Sequence, residues 1–290
     1  MLWKSASASV RLGVKRRKTM KKKNNALLIA TFCSIMTCMA TITQADGDTP
    51  IIREEAKIVI DGVEEVWRLE WINQPSPVCG PDDEYWNTNP CNGFAFGESG
   101  DLDLIRKRPG EKDEHFALTP IFAEYGEAPA YNPRQAVLRR WNVLDTDYTK
   151  KNSPTFVSMV KARPVIRIIK FADYDHDGRS TEFILQIGTA AGLDMSVVIG
   201  ISRNEPHLHF FTGVIHPNEP LILQSRHWEA LSQTKTAIRV VQIGCGNHGF
   251  NGIMKYELKS ENGRIHARKL VYECDEANGQ QGRLIQDEEF

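Results

Sequence analysis

Long apolar runs are scarce in this chain, and the main one, Ala26–Ala40, is fifteen residues long. A membrane-spanning helix needs about 18 or more apolar residues, so this run is too short to predict an anchor. It follows Lys21-Lys22-Lys23, and residues 1–45 contain nine Lys or Arg and no Asp or Glu. A basic segment, an apolar run and then small residues form the pattern of a signal peptide. We predict a signal peptide over residues 1–45, with Met20 as an alternative start, and export to the periplasm or the medium with no transmembrane segment in the mature chain.

Positive charge is also scarce beyond the leader. Nine of the 36 Lys and Arg residues lie in residues 1–45, while all 37 Asp and Glu residues lie after them, so residues 46–290 carry a formal charge of −10. Basic patches supply most of the affinity for nucleic acid, so we predict no nucleic-acid partner.

Motifs of common hydrolases are missing. The chain has no Gly-x-Ser-x-Gly turn, no His-Glu-x-x-His helix and no Gly-x-x-x-x-Gly-Lys loop. A glycosidase built from scattered loop carboxylates would leave no such motif, so the absence is weak evidence against catalysis.

Linkers rich in Ser, Gly or Pro are lacking after residue 45, which predicts a single domain over residues 46–290. Four cysteines remain there, and an even number in an exported protein predicts two disulfides. Proximity in the sequence favours Cys79–Cys91 and Cys245–Cys274, although four cysteines allow three pairings. No pair has the spacing of a zinc site.

Helical periodicity is rare, and only Ser225–Ser232 predicts a helix. In Val63–Ile72, by contrast, Val63, Glu65, Trp67, Leu69 and Trp71 share one face, as in a half-buried strand. Further strands are predicted at residues 102–106, 136–143, 236–243, 252–259 and 265–273, the last two joined by a turn at Asn262-Gly263, whereas residues 280–290 are expected to fray. We predict an all-β fold of antiparallel sheets, propeller-like, with a β-sandwich as the alternative.

The most informative stretch is Asp173-Tyr174-Asp175-His176-Asp177-Gly178-Arg179-Ser180-Thr181-Glu182. Three aspartates at alternate positions of a tight turn need a counter-charge, and Ca²⁺ accepts six to eight oxygen ligands with irregular geometry. Gly178 supplies the backbone freedom that such a turn requires. The loop is not an EF-hand, because its twelfth position is Ile184 rather than Glu. A solvated acidic turn is the alternative, since Asp and Gly also favour turns for local reasons.

This loop and its flanks, Pro164 to Gly213, resemble a blade of the FG-GAP/VCBS type of calcium-binding β-propeller. The resemblance implies four strands, at Val165–Ile169, Thr181–Gly188, Ser196–Ser202 and His207–Thr212, with calcium bound by the loop before the second. It implies Asp173, Asp175 and Asp177 as carboxylate ligands and Arg179 as a carbonyl ligand. The family's next acid falls at Thr181, so the resemblance leaves open whether Thr181 or Glu182 completes the shell.

Two histidine-containing patterns offer alternative chemistry. His207 and His209 are two residues apart in a predicted strand, so their rings would share a face and could bind zinc or copper, with His216, His227 or His248 as the third ligand. In Gly244–Gly249, Cys245 and His248 could form a nucleophile pair, but a disulfide would make Cys245 inert. Packed or exposed histidines without a metal are the commoner outcome.

The loop Asp82-Asp83-Glu84-Tyr85-Trp86 mixes acids with aromatic residues, as glycan-contacting loops do. We predict an exported, calcium-binding, disulfide-stabilised β-protein that acts as a non-catalytic binding or envelope module for a protein or glycan ligand. The alternative is a secreted hydrolase, either metal-dependent through His207 and His209 or glycan-directed through residues 82–86.

Overall fold

A computed structural model describes residues 50–80, 96–125, 135–142, 153–190, 193–246, 250–275 and 280–290. In these residues, fourteen strands pair into four sheets, and every pair of neighbouring strands is antiparallel. The predicted all-β class with antiparallel sheets is confirmed, while the choice between propeller and sandwich stays a prediction. No helix within these ranges has both the length and the apolar character needed to cross a membrane.

The elements are short and follow one another closely along the chain. The strands are β1 (Ile51–Ile60), β2 (Val63–Trp71), β3 (Ser76–Val78), β4 (Gly97–Gly100), β5 (Leu102–Lys107), β6 (Glu114–Ala117), β7 (Ala136–Arg139), β8 (Glu182–Ala190), β9 (Leu193–Gly200), β10 (His209–Phe210), β11 (Ile238–Ile243), β12 (Gly252–Glu261), β13 (Arg264–Asp275) and β14 (Gln280–Glu289). The helices are α1 (Thr119–Tyr125), α2 (Phe156–Lys161) and α3 (Ser225–Ser232). The sheet orders are β1-β2-β5-β6, β3-β4-β7, β10-β9-β8 and β11-β12-β13-β14.

The main core lies between the first sheet and the sheet formed by β8, β9 and β10. Trp67, Leu69 and Trp71 of β2 are buried, as the alternation of that strand predicts, and they share one cluster with Phe183 and Leu185 of β8. A second cluster packs α3 and the β12–β13 hairpin against the other side of β8 and β9.

One acid on the buried face of β2, Glu65, is completely inaccessible. Burial opposes its ionisation, but hydrogen bonds from the Arg106 guanidinium (2.7 and 2.9 Å) and the Trp67 indole (3.2 Å) outweigh that cost, so the pKa of Glu65 is lowered. Arg106 also donates to Glu114 Oε2 and to the Pro206 carbonyl, which ties β2, β5 and β6 to the segment before β10. In this core, a buried carboxylate is ionised because an arginine reaches it.

A β-bulge between Ile52 and Glu54 changes the direction of two side chains of β1. Arg53 donates to the carbonyls of Arg139 (3.1 Å) and Ile166 (3.3 Å). Glu54 accepts the backbone N–H groups of Ile168 (2.7 Å) and Ile169 (3.1 Å). The two side chains therefore hold residues 166–169 and β7 against the first sheet.

The predicted strand Val165–Ile169 is wrong, because these residues belong to no sheet. Its alternating pattern does place Ile169 in the core, but the donors that a strand partner would satisfy are taken by the Glu54 carboxylate instead. The other three segments of the resemblance form strands β8, β9 and β10.

The helix predicted at Ser225–Ser232 is confirmed as α3. Its first residue is tied to β9, since Asp194 Oδ2 accepts both Ser225 N (2.6 Å) and Ser225 Oγ (2.5 Å). The expectation that residues 280–290 fray is wrong, because they form β14 at the edge of the fourth sheet. The pairing of this polar segment with β13 is reinforced by the Arg268–Asp287 ion pair.

Cys245 and Cys274 form a disulfide, with 5.7 Å between their Cα atoms, that joins the exit of β11 to the end of β13. Cys79 is also disulfide-bonded, while Cys91, its predicted partner, lies outside the described residues.

Replacing Glu54 by Gln should lower the free energy of unfolding by about 1–3 kcal/mol, because an amide cannot accept both backbone N–H groups. Glu55→Gln is the matched control, since Glu55 forms only a surface ion pair with Arg68, worth about 0–1 kcal/mol. Urea unfolding of the two variants measures the difference. Equal losses would show that residues 166–169 do not depend on the carboxylate.

Non-reducing peptide mapping should find Cys245 joined to Cys274 and Cys79 joined to Cys91, with no thiol that reacts with an alkylating reagent. The bridge between Cys245 and Cys274 spans 29 residues, and its loss in a Cys245→Ser/Cys274→Ser variant should cost about 3–4 kcal/mol through loop entropy. A rapidly alkylated Cys245 in the native protein would contradict this pairing.

Candidate metal centre

The aspartate-rich turn begins after residue 172 and ends where β8 begins. Its two ends are held together by a pair of backbone hydrogen bonds, from Ala172 N to the Glu182 carbonyl (2.8 Å) and from Glu182 N to the Ala172 carbonyl (3.3 Å). His176 and Gly178 adopt positive φ angles, 53° and 90°, which turn the chain back on itself. The turn therefore brings residue 173 close to residue 182 without any helix.

Three carboxylates meet inside this turn. Asp173, Asp175 and Glu182 each offer one oxygen, and the three oxygens lie within 4.8 Å of one another. Asp175 and Glu182 are completely buried and Asp173 is partly buried. A cation with oxygen ligands at 2.3–2.6 Å, the range for Ca²⁺, fits between oxygens spaced in this way.

Hydrogen bonds orient the three carboxylates but leave part of their capacity unused. Asp173 Oδ2 accepts Gly178 N (3.1 Å), Asp175 Oδ1 accepts Asp177 N (3.0 Å), and the two oxygens of Glu182 accept Tyr174 N (2.7 Å) and the Thr181 hydroxyl (2.7 Å). Asp173 Oδ1 and Asp175 Oδ2 are buried and have no hydrogen-bond partner. Two acceptors without donors in such a place require either a proton or a cation.

The other predicted ligands lie differently. Both oxygens of Asp177 are occupied by backbone donors, Arg179 N (2.7 Å) and Arg203 N (2.6 Å), so this residue closes the turn onto the segment after β9. The side chain of Arg179 donates to Asp61, and its backbone carbonyl, the predicted ligand atom, stays a prediction. Thr181 contributes its hydroxyl to Glu182 and lies beside the Ile201 carbonyl. A Glu182 oxygen lies with those of Asp173 and Asp175, while the choice between Thr181 and Glu182 as the residue that completes the shell stays a prediction.

Distant parts of the chain hold the turn from outside, and sequence patterns did not reveal these contacts. The β12–β13 hairpin donates to its backbone twice, from Gly263 N to the Asp175 carbonyl (3.0 Å) and from Ser260 Oγ to the Tyr174 carbonyl (2.7 Å). Gly263 has a φ of 76°, and a Cβ there would lie 3.3 Å from Asp175 Oδ2. The Asn262-Gly263 dipeptide predicts the hairpin, but nothing in it signals the carboxylate that it covers.

Burial and mutual repulsion shift the titration of two of the acids upward. Burial, with the added charges of Asp177 and Asp173, raises the pKa of Asp175 to about 7. Burial, reinforced by the charge of Asp175, raises the pKa of Glu182 to about 9 even though Thr181 and Tyr174 donate to it. Among the described residues, no Lys, Arg or His forms an ion pair with any of the three acids.

The predicted histidine cluster is not formed by the histidines that the structure describes. Of the pair His207 and His209, only His209 lies in a strand, and the Pro206 carbonyl before His207 accepts Arg106. His207 is 80% exposed beside Glu114, while the His209 ring packs on Phe211. The ring of His227 is buried and hydrogen-bonds to Gln242 Oε1, and burial lowers its pKa.

Of the remaining candidates, the structure describes Cys245 and His216. Cys245 is disulfide-bonded and offers no thiolate, so a Cys245–His248 nucleophile pair is excluded in the oxidised protein. His248 and the loop of residues 82–86 lie outside the described residues. His216 packs its ring against Phe290, away from the acidic turn.

Comparison with known proteins does not add a function to this geometry. No family model matches the chain, and no curated protein is significantly similar to it in sequence.

Without divalent cations, the protein should lose stability as the pH rises. The pKa values of Asp175 and Glu182 are higher in the folded state than their ordinary values of 3.8 and 4.5, so unfolding releases protons between about pH 4 and about pH 9. The stabilisation is fully present below pH 4 and is lost as the pH passes about 7 and then about 9. Urea midpoints in EDTA measure this trend.

The slope of that pH dependence should shrink in Glu182→Gln and stay unchanged in Glu229→Gln, which removes an exposed acid of α3. Midpoints that are equally steep in wild type and in Glu182→Gln would contradict the assignment of the slope to the buried cluster.

Proposed function

We propose that Asp173, Asp175 and Glu182 bind Ca²⁺ and that this protein is an exported, calcium-stabilised, non-catalytic binding module. The observation that supports the cation most directly is the pair of buried, unpartnered oxygens, Asp173 Oδ1 and Asp175 Oδ2, beside a third carboxylate. Hard oxygen donors without nitrogen or sulfur favour Ca²⁺ or Mg²⁺, and the irregular turn favours Ca²⁺, because Mg²⁺ demands near-ideal octahedral geometry. The resemblance of the turn to FG-GAP/VCBS loops points to the same ion.

Other buried acids in the same protein have arginine partners, and this contrast supports the proposal. Glu65 is as inaccessible as Glu182, but an arginine lies against it and its pKa is lowered. Glu98 is likewise paired with Arg53 and Arg140. Asp175 and Glu182 have the burial without the arginine, so a bound cation would supply the missing charge.

A structural role for the ion follows from its surroundings. Asp175 and Glu182 are fully buried, and the β12–β13 hairpin covers Asp175, so a cation here would have little free coordination for a substrate. Such an ion would fix the start of β8 and the hairpin that covers it. Within the described residues, these three are the only cluster of His, Cys, Asp or Glu side chains with the geometry to share a metal.

Export is proposed from the leader-like residues 1–45, and the Cys245–Cys274 disulfide is in keeping with an oxidising compartment. The ligand that the module recognises is proposed to be a protein or a glycan. The hydrolase alternative lacks support from the described histidines, because neither His207 nor His209 belongs to a group of three side chains that could hold a metal.

Calcium should raise the melting temperature of protein stripped with EDTA. A ligand that binds only the folded state at a hundredfold excess over its Kd stabilises by about 2.7 kcal/mol, which gives a clear shift. Asp175→Asn should abolish the shift because it removes one of the converging charges. The matched control is Asp101→Asn, which removes an exposed acid that forms no ion pair within the described residues.

Asp177→Asn tests whether Asp177 binds the ion, as the FG-GAP/VCBS resemblance implies, or only holds the backbone of the turn. The oxygens of Asp177 accept backbone donors, so this substitution should loosen the turn without removing a ligand. The loss of calcium affinity should therefore be smaller in Asp177→Asn than in Asp175→Asn. The proposal fails if calcium leaves the melting curve of the stripped wild-type protein unmoved, since the two oxygens would then share a proton.

A further inference from the structure

The clamp formed by Arg53 and Glu54 builds one wall of a cavity on the far side of β7. Arg53 holds the carbonyls of Arg139 and Ile166, and Glu54 holds the N–H groups of Ile168 and Ile169, so residues 166–170 run beside β7 and β8 without joining a sheet. The space left between them has a volume of about 220 Å³. Its floor is apolar, with Ile166 and Ile184 among the lining residues. β-Bulges commonly redirect side chains next to binding sites.

Three cations from two separate segments line this cavity, namely Arg139 at the end of β7 and Arg167 and Lys170 on the clamped segment. Only one acid, Glu229, lines it. The cavity thus carries a local formal charge of +2 in a chain whose residues 46–290 sum to −10. A concentration of positive charge against the net charge of the protein is the electrostatic signature of an anion site.

The charges of the two exposed cations in this wall, Arg167 and Lys170, are weakly neutralised. Lys170 is exposed and forms no ion pair or hydrogen bond within the described residues. Arg167 lies 3.7 Å from Glu54, but both oxygens of Glu54 already accept backbone N–H groups. Arg139 donates to the amide oxygens of Gln186 (3.3 Å) and Asn142 (3.4 Å), which hold its guanidinium beside the cavity.

Neutral polar groups complete the lining. Gln186 of β8 and Ser225 at the start of α3 also line the cavity; Gln186 Oε1 accepts Arg139 and the Ser225 hydroxyl donates to Asp194, which leaves the Gln186 NH₂ group as a donor and Ser225 Oγ as an acceptor. Guanidinium groups bind oxyanions with paired, charge-assisted hydrogen bonds, and amide or hydroxyl groups suit the hydroxyls of a sugar or similar body. The volume is below the range of about 300–1,000 Å³ that is typical for drug-sized ligands, so the occupant must be small.

We propose that the cavity lined by Arg139, Arg167 and Lys170 binds a small organic oxyanion, of the size of a monosaccharide that carries a phosphate, sulfate or carboxylate group. The oxyanion lies between Arg167 and Lys170, and Gln186 and Ser225 contact the polar body. The cavity borders the aspartate-rich turn at Tyr174, but none of its cations belongs to the proposed calcium centre, so either proposal can fail without the other.

Isothermal titration calorimetry with four sugars of one size tests this site: glucose 6-phosphate, glucose 6-sulfate, glucuronate and uncharged glucose. At least one of the three anions should bind saturably with 1:1 stoichiometry at millimolar concentrations or below, and the tightest identifies the head group. Glucose should show no binding. Binding should weaken as salt rises, because the cations are partly exposed.

Substitutions distinguish binding in this cavity from nonspecific attraction of anions to surface cations. Lys170→Gln and Arg167→Gln should each weaken the binding of the preferred anion about tenfold, since each removes one charge-assisted hydrogen bond. Lys235→Gln and Arg283→Gln are matched controls, because they remove the same charges from exposed positions away from the cavity and should leave the Kd unchanged. All four side chains are exposed, and circular dichroism verifies that each variant is folded.

Absence of saturable binding by all three anions would overturn the proposal. So would binding that survives in Lys170→Gln/Arg167→Gln, or that weakens equally in Lys235→Gln and Arg283→Gln.

Discussion

Uncompensated negative charge inside the turn at residues 173–182 is the constraint on which much of this structure depends. Two fully buried carboxylates, Asp175 and Glu182, lie against a third without a cationic side chain. Elsewhere in the core, burial of an acid is paired with an arginine, as for Glu65 with Arg106. Because removing charge from water is costly, the turn must hold either protons or a cation.

The turn also connects elements that are far apart in the chain. The β12–β13 hairpin donates to its backbone at Tyr174 and Asp175, Arg203 donates to Asp177, and His176 reaches the Leu231 carbonyl at the end of α3. A cation that orders residues 173–182 would therefore order the contact between the β8–β9 sheet and the fourth sheet. This arrangement explains why the site is enclosed, and it agrees better with structural stabilisation than with catalysis, which needs an open coordination position.

A second constraint is the bulge at Arg53. By turning two consecutive side chains of β1 in the same direction, it lets Arg53 bind carbonyls and Glu54 bind N–H groups of a segment that has no strand partner. Residues 166–169 are thus kept extended by side chains rather than by a sheet. This leaves one side of the segment open, and there its two cations line a cavity with Arg139.

Local patterns in the sequence determined much of this protein. The alternation of Val63–Trp71 determined the buried face of β2, the serine-initiated pattern determined α3, and Asn262-Gly263 determined the β12–β13 turn, because these features depend on neighbours a few residues away. The spacing of Asp173 and Asp175 likewise predicted an acidic turn. The alternation of Val165–Ile169 misled, since a strand exists only if a partner strand is available.

Only the tertiary structure decided which oxygens converge and what surrounds them. It placed Glu182 with Asp173 and Asp175, and it assigned Asp177 to the backbone of Arg203, a residue 26 positions away. It also provided Glu65 with an arginine and left Glu182 without one, although both are buried acids. The charge state of a carboxylate depends on which groups lie within a few ångströms in space, and contacts between distant segments are set by packing, which no local pattern encodes.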